Sequence, residues 1–374
     1  MAPAIPAPGM TASRQIAVRE AWLDQAREEI IEPALPIVDP HHHLWDHPGE
    51  RYLLDDLLRD TGSGHDICAT VFVQCGAMYR AAGPEELRSL GETEFVTGAA
   101  ARSASGLYGR TRACAGIVGL VDLTLGDRVV PLLEAHLAAA GERFRGVRNR
   151  TAWHPSPEVR SNLSSPPPGP LGRPEFQEGA KRLAGFGLVL DVWAYHTQLP
   201  QVVELARAVP EPTVVADHVG GPIGVGPFAG KRAEVFAEWR RDVLALAACA
   251  NVVVKLGGLA MQVSGFEFHL RGLPPTSAEL AEAWRPYIET CVEAFGPARC
   301  MFESNFPVDK GMCSYAALWN AFKRLAAGAS AAEKAALFGG TAVRVYRLDR
   351  LPPGVAPDLS AWTDATAGSG AAGA

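Results

Sequence analysis

The sequence predicts a (β/α)8 TIM barrel, and three observations carry that expectation. Eight short β-rich runs recur at Ile37–His41, Ala69–Gln74, Gly116–Val121, Phe144–Arg148, Leu188–Ala194, Thr213–Asp217, Val252–Leu256 and Cys300–Glu303. Amphipathic stretches lie between most of them, at Val129–Ala140, Gln198–Val209, Arg232–Ala248, Ser277–Phe295 and Tyr315–Ala327. The runs are almost all too far apart for hairpins, so the connections are those of parallel βα units. Eight such units suit a closed barrel better than an open doubly wound sheet. A doubly wound dinucleotide fold would carry a glycine fingerprint after its first strand, where this chain reads Val38-Asp39-Pro40-His41-His42-His43. The Gly220–Gly230 segment follows the sixth run and lacks the fingerprint spacing.

The flanks are read in the same way. Ile16, Val18, Trp22 and Ala26 stand near helical spacing, so Ser13–Ile31 is expected to form a helix that Pro33 stops. Residues 1–14 form an Ala/Pro-rich disordered arm, residues 15–351 a single barrel domain, and residues 352–374 a disordered tail. The proline-rich connection His154–Pro174 is expected to wrap over the mouth of the barrel.

Composition excludes several functions. Thirty-five basic against forty-one acidic residues give a net charge of −6 with the basic residues scattered, which leaves no footprint for nucleic acid. Charges or prolines interrupt each apolar stretch before the roughly 20 residues of a membrane span. The seven cysteines are odd in number, contain no CxxC pair and mostly sit in apolar runs, which favours reduced thiols in the cytoplasm. A small-molecule partner is expected, and a homo-oligomer is allowed.

The polar residues gather at the C-terminal ends of the strands. Alternation aims Asp39, His41 and His43 to one side, and two imidazoles so placed can chelate one cation, while His42 points away. The fifth and sixth strands deliver His196 and His218 to the same end, with Asp217 on the opposite face as an orienting carboxylate. Glu303 and Asn305 share the inner face of the eighth strand. A carboxylate there requires a metal or a partner such as Arg148 to offset its desolvation. Lys255 is either an inward cation or an ion-pair partner. Glu92 and Glu94 stand in a strand-end loop, Gly91–Phe95, where Glu94 is a candidate ligand for a second ion. Arg148 and Arg150 point together and are suited to a carboxylate, a thioester oxygen or a phosphate. Trp45, Tyr79 and Trp193, with Trp153, Tyr195 and Phe306, can wall a bulky substrate.

These motifs resemble the amidohydrolase superfamily, in particular its amidohydrolase-related family 2, over about Pro36 to Leu348. The resemblance rests on Val38-Asp39-Pro40-His41-His42-His43-Leu44-Trp45-Asp46, on His196 before Gln198-Leu199-Pro200, on Asp217-His218-Val219-Gly220, and on the eighth-strand segment. It implies that His41, His43, His196 and His218 are metal-binding or metal-adjacent. The family usually reads Gly-Ser-Asp-Trp-Pro at the eighth strand, with its Asp binding metal and accepting a proton from water. This chain reads Glu303-Ser304-Asn305-Phe306-Pro307. An amide is no base near neutral pH, so hydrolysis would require Glu303 or Asp309 instead.

The missing base and the extra carboxylates resemble a subgroup of such barrels, the non-heme di-iron monooxygenases of bacterial diterpenoid biosynthesis. That likeness implies one or two iron ions, with zinc or manganese as alternatives; the ligands expected from strand-end geometry are His41, His43, His196, His218 and Glu303, with Glu94 for a second ion. It also implies hydroxylation of a hydrophobic acid or its coenzyme A thioester. The alternative is hydrolysis of a lactone, amide or related acid derivative by one divalent ion. A third possibility is a catalytically silent binding barrel.

Overall fold

Runs of alternating apolar residues become eight parallel strands: β1 Pro36–His42, β2 Asp66–Val73, β3 Arg112–Gly119, β4 Phe144–Arg150, β5 Val189–Trp193, β6 Val214–Ala216, β7 Val252–Leu256 and β8 Cys300–Phe302. The computed structural model describes residues 15–47, 50–160, 166–350, 359, 360 and 362. Strand order follows chain order from β1 to β8, with each neighbouring pair parallel. The seam between β8 and β1 is closed just beyond the β8 ladder, where Asn305 N donates to His41 O (2.9 Å) and His43 N donates to Phe306 O (2.8 Å). The fold is a TIM barrel. A short hairpin, Trp45–His47 with Glu50–Tyr52, stands at its mouth.

Inward side chains fill the barrel in layers. Val38, Val71, Val118, Val189, Val215, Val253 and Met301 make the apolar interior, which Val345, Tyr346 and Leu348 seal from below. Outward residues such as Phe72, Ile117, Phe144, Leu190 and Phe302 pack under the helical ring. That ring comprises α1 Glu20–Leu23, α2 Leu54–Thr61, α3 Leu90–Ala104, α4 Val130–Ala140, α5 Pro174–Gly185, α6 Leu199–Ala208, α7 Arg232–Ala247, α8 Ser277–Phe295, α9 Tyr315–Leu325, α10 Ala331–Ala335 and α11 Thr341–Tyr346.

Three expectations change. The helix over Ser13–Ile31 is a single turn, α1, because tertiary partners claim the polar groups that follow it. Asn320 Nδ2 donates to Glu29 O (2.9 Å), Ile31 N donates to Asn320 Oδ1 (2.9 Å) and Lys323 Nζ donates to Glu32 O (2.8 Å). Gly91–Phe95 is the first part of α3 and not a loop. The small residues Ala99, Ala100 and Ser103 give α3 a weakly amphipathic pattern, yet they let it pack closely on β3. Within the stretch expected to be a disordered tail, Leu359 and Trp362 are buried in the cluster that contains Val345 and Tyr346. Residues 1–14, the middle of the proline-rich connection (161–165) and the rest of the tail lie outside the described residues. None of the seven cysteines is disulfide-bonded, and no helix among the described residues is long and apolar enough to cross a membrane.

Candidate active site at the barrel mouth

The first strand does not alternate as read. Pro40 has no N–H for the ladder, and the β1–β2 register shifts between Asp39 and His42, a bulge that puts Asp39 out of phase with His41. Asp39 turns outward, accepting from Ser304 N (3.0 Å) and Tyr315 Oη (3.0 Å), and burial pushes its carboxyl up to about 6. His42 also faces outward, with its Nε2 2.8 Å from Thr70 Oγ1. His41 and His43 face inward, as the chelate requires.

Glu303 is the hub of the site. Its Oε1 accepts from His218 Nδ1 (2.7 Å) and from the His218 backbone N–H (3.1 Å), and its Oε2 lies 2.7 Å from His41 Nδ1, which Lys255 Nζ also approaches at 3.2 Å. A carboxylate accepts only, so His218 carries its proton on Nδ1 when neutral. His218 reaches this position because His218 and Val219 adopt left-handed φ values of 57° and 48°, which break strand alternation and bring Asp217 and His218 to the same centre. Gly258 clears the space, since a Cβ there would fall 2.5 Å from the His218 ring.

A layer of buried charge lies beneath. Lys255 Nζ pairs with Asp191 Oδ2 (2.6 Å) and Asp217 Oδ1 (3.1 Å), and Tyr346 donates its hydroxyl to Asp191 (2.9 Å). Arg148 pairs with Asp217 Oδ2 (3.1 Å), donates to Gln74 O (2.6 Å) and places Nη1 3.2 Å from His41 Nε2. Arg148 therefore serves Asp217 and His41, and Glu303 is held through Oε1 by His218, while its Oε2 has no hydrogen-bond partner among the described residues. Against the cost of burial, Lys255 and Arg148 hold Asp217 down to about 2. Burial, with Asp217 beside it, pushes Asp191 up to about 6.

The remaining predicted residues divide. His43 Nδ1 is 2.7 Å from Val73 O, which fixes its proton there and turns Nε2 to the cleft. Burial holds His41 and His43 well below the ordinary imidazole value, so both are neutral, the form that binds metals. Asn305 lines the cleft and donates from Nδ2 to Asp309 Oδ1 (2.8 Å), leaving its own oxygen available. Trp45 stacks on His43 with ring centroids 5.8 Å apart, and Trp193 meets the His218 ring edge-on at 4.6 Å. His196 is not in this group: its Nδ1 accepts from Ile223 N (3.2 Å) and its ring packs on Phe228. Glu94 pairs with Arg80 on the exposed side of α3, and Glu92 is the carboxylate of that segment that turns inward. Tyr79 stands against Arg150, outside the residues that line the cleft.

His41, Asp217 and His218 offer donor atoms within 4.8 Å of one another. His43 and His218, each tethered at Nδ1, add cleft-facing Nε2 lone pairs, and this mixed nitrogen and oxygen set fits a divalent ion. Asp217 and Lys255 give no sign in the strand pattern that they belong together. The glycine pair Gly257-Gly258 after β7 is the one sequence signal of space cleared for Glu303 and His218.

The pairing of Asn305 with Asp309 has a testable consequence. Burial pushes Asp309 well above the usual carboxyl range. Asn305→Asp would place a second carboxyl against it, at an expected cost of about 2 kcal/mol near neutral pH that grows as pH rises. The double variant Asn305→Asp/Asp309→Asn should recover most of the loss in urea denaturation, and a fully stable single variant would contradict the pairing.

A parallel barrel with imidazoles and carboxylates gathered at the C-terminal mouth is an arrangement that could hold a divalent ion. The chain belongs to the amidohydrolase family, whose profile matches residues 38–348. An uncharacterized protein of Sinorhizobium fredii, y4mH, is 32% identical over 84% of this chain and 99% of its own length. An L-fucono-1,5-lactonase of Burkholderia multivorans is 31% identical over 63% of this chain and 72% of its own length. The crystal structure of an amidohydrolase of Burkholderia multivorans with bound zinc superposes with a TM-score of 0.63 at 27% identity, covering 84% of this chain and 99% of that one.

These relatives correct the oxygenase expectation, since the named ones are a lactonase and an amidohydrolase. The geometry agrees for the second ion: Glu94 is directed to Arg80 and away from the cleft. The metal of the solved relative is zinc, so the iron expectation gives way to a divalent ion of unspecified identity.

Proposed function

We propose that this protein is a cytoplasmic hydrolase that opens a lactone or a related cyclic acid derivative in the cleft above His43 and His218. The observation that carries the reading is the pair of imidazoles, His43 and His218, each tethered at Nδ1 and lining the cleft beside the Arg148 guanidinium. His43 and His218 would hold a divalent cation, with Asp217 or the Asn305 oxygen as a further donor. When bound, the ion would polarise the ester carbonyl and acidify water.

The chain's own residues do the rest. Glu303 fixes the proton of His218 on Nδ1, so that this ring cannot present an N–H to the cleft in its place. Arg148, anchored by Asp217 and by the Gln74 carbonyl, presents a rigid cation to developing negative charge on the substrate oxygen. Trp45 and Trp193 flank the cleft and limit water around the reacting centre.

Because one relative is named an L-fucono-1,5-lactonase, six-membered sugar lactones head the panel to be tried. Ring opening should release acid that a pH indicator detects, and heavy-oxygen label from water should enter the product. His43→Ala and His218→Ala are expected to lower kcat/KM at least about a hundredfold, and a chelator should remove both metal and activity. Failure of every lactone, amide and ester in a broad panel would overturn the proposal.

A further inference from the structure

We infer that the substrate carries a free carboxylate and that Arg150 is the residue that selects it. The inference deepens the hydrolase reading by naming the substrate class, and it borrows from that reading only the identity of the bond that is broken.

Strand β4 sends Arg148 and Arg150 to the same inward face, in register with Asp191 and Trp193 of β5. The two arginines have different work. Arg148 directs its guanidinium at Asp217, at the Gln74 carbonyl and at His41. Arg150, one step nearer the mouth, lines the cleft together with Gln74, Cys75, Trp45 and Trp193.

The lodging of Arg150 is built into the backbone. Gly76 has φ +85°, and a Cβ at that position would fall 2.1 Å from Arg150 Nη2, so only glycine leaves room for the guanidinium. Glu92 holds the turn in place. Its Oε1 accepts the backbone N–H groups of Cys75 (3.0 Å), Gly76 (2.8 Å) and Ala77 (2.8 Å), which disperses its charge into the loop. Tyr79 stands near the guanidinium, and buried Glu92 attracts that cation from behind the turn. Among the residues that line the cleft, Glu50 at the rim is the one carboxylate, against two arginines.

A planar guanidinium beside tryptophan walls matches a carboxylate in two parallel charge-assisted hydrogen bonds, a geometry a neutral hydroxyl cannot reproduce. The reacting carbonyl would then lie deeper, between Arg148 and the imidazoles, with the anionic arm of the substrate pointing toward the mouth.

Glucarolactone, which bears a free carboxylate, and gluconolactone, which does not, make the kinetic comparison. Wild-type protein is expected to favour glucarolactone by at least about tenfold in kcat/KM. Arg150→Gln should raise KM for glucarolactone about tenfold to a hundredfold, with a smaller change in kcat, and so remove most of the preference over gluconolactone. Gly76→Ala keeps the charge but displaces the guanidinium, and should move the preference in the same direction. Binding of glutarate, measured by calorimetry on wild-type and Arg150→Gln protein with matching thermal unfolding, tests the anion site without turnover.

Glutarate binding that Arg150→Gln weakens tenfold or more supports the inference even if no lactone is opened, in which case the hydrolase reading alone falls. Lactone hydrolysis indifferent to the carboxylate, or glutarate binding equal in both proteins, overturns the inference and leaves the hydrolase reading standing.

Discussion

Glu303→Gln is expected to lower turnover about tenfold to a hundredfold in a protein that still folds. The carboxylate accepts from His218 Nδ1 (2.7 Å) and from the His218 backbone N–H (3.1 Å), and its other oxygen lies 2.7 Å from His41 Nδ1. A glutamine offers one accepting oxygen and one donating amide in the same space. One imidazole must then face a donor with its Nδ1, and it can do so only by moving its proton to Nε2. A His218 so changed has no lone pair left for the cleft. The stability cost of the mismatch is about 1–3 kcal/mol, that of one unsatisfied buried polar group. Glu303→Ala would strand both N–H groups and open a cavity, at about 3–5 kcal/mol. Steady-state kinetics and urea denaturation on the two variants separate the effects. Full turnover by the glutamine variant would show that the fork does not set the tautomers.

Lys255→Met should cost about 3–5 kcal/mol of stability, because it leaves Asp191 and Asp217 as two buried carboxylates with one cation between them. The pH dependence should also change, because Asp217 at about 2 and Asp191 at about 6 act in opposite directions in the wild type. In the wild type, Lys255 and Arg148 hold Asp217 down to about 2, so its contribution is present above its unfolded value of 3.8 and is lost only as pH falls toward 2. Without Lys255 both carboxyls move up, the native state takes protons that the unfolded state does not, and the variant's deficit should shrink on acidification from pH 7 to pH 5. Lys255→Met/Asp191→Asn should restore part of the loss, with a coupling of at least about 1 kcal/mol. A single variant within about 1 kcal/mol of wild type at neutral pH would refute the account.

The barrel was legible because each strand carries its own alternation and each connection is too long for a hairpin. Much of the mouth was legible too: His41, His43, His218, Glu303, Asn305, Arg148, Trp45 and Trp193 do converge. What strand parity cannot supply is a change of parity. The bulge at Asp39–His42 turned Asp39 away, with Pro40 as its signal, and the left-handed pair His218-Val219 brought Asp217 in. His196 was misplaced for a related reason. Trp193 is the last inward residue of β5, and His196 already begins the turn that Gln198 and Pro200 carry into α6. Glu94 was chosen over Glu92 because Leu90–Ala104 lacks the strong apolar stripe by which a helix declares its buried side. Parity says which way a side chain points, and it is silent on partners, so the fork of Glu303 between two imidazoles was beyond its reach.

The place where the cylinder is sewn shut has a further meaning. Its two stitches are backbone amides of Asn305 and His43, residues whose side chains border the reaction space. Integrity of the wall and placement of the donors are therefore one property: any loosening of that join scatters the reactive groups, and any ligand that gathers them tightens the join.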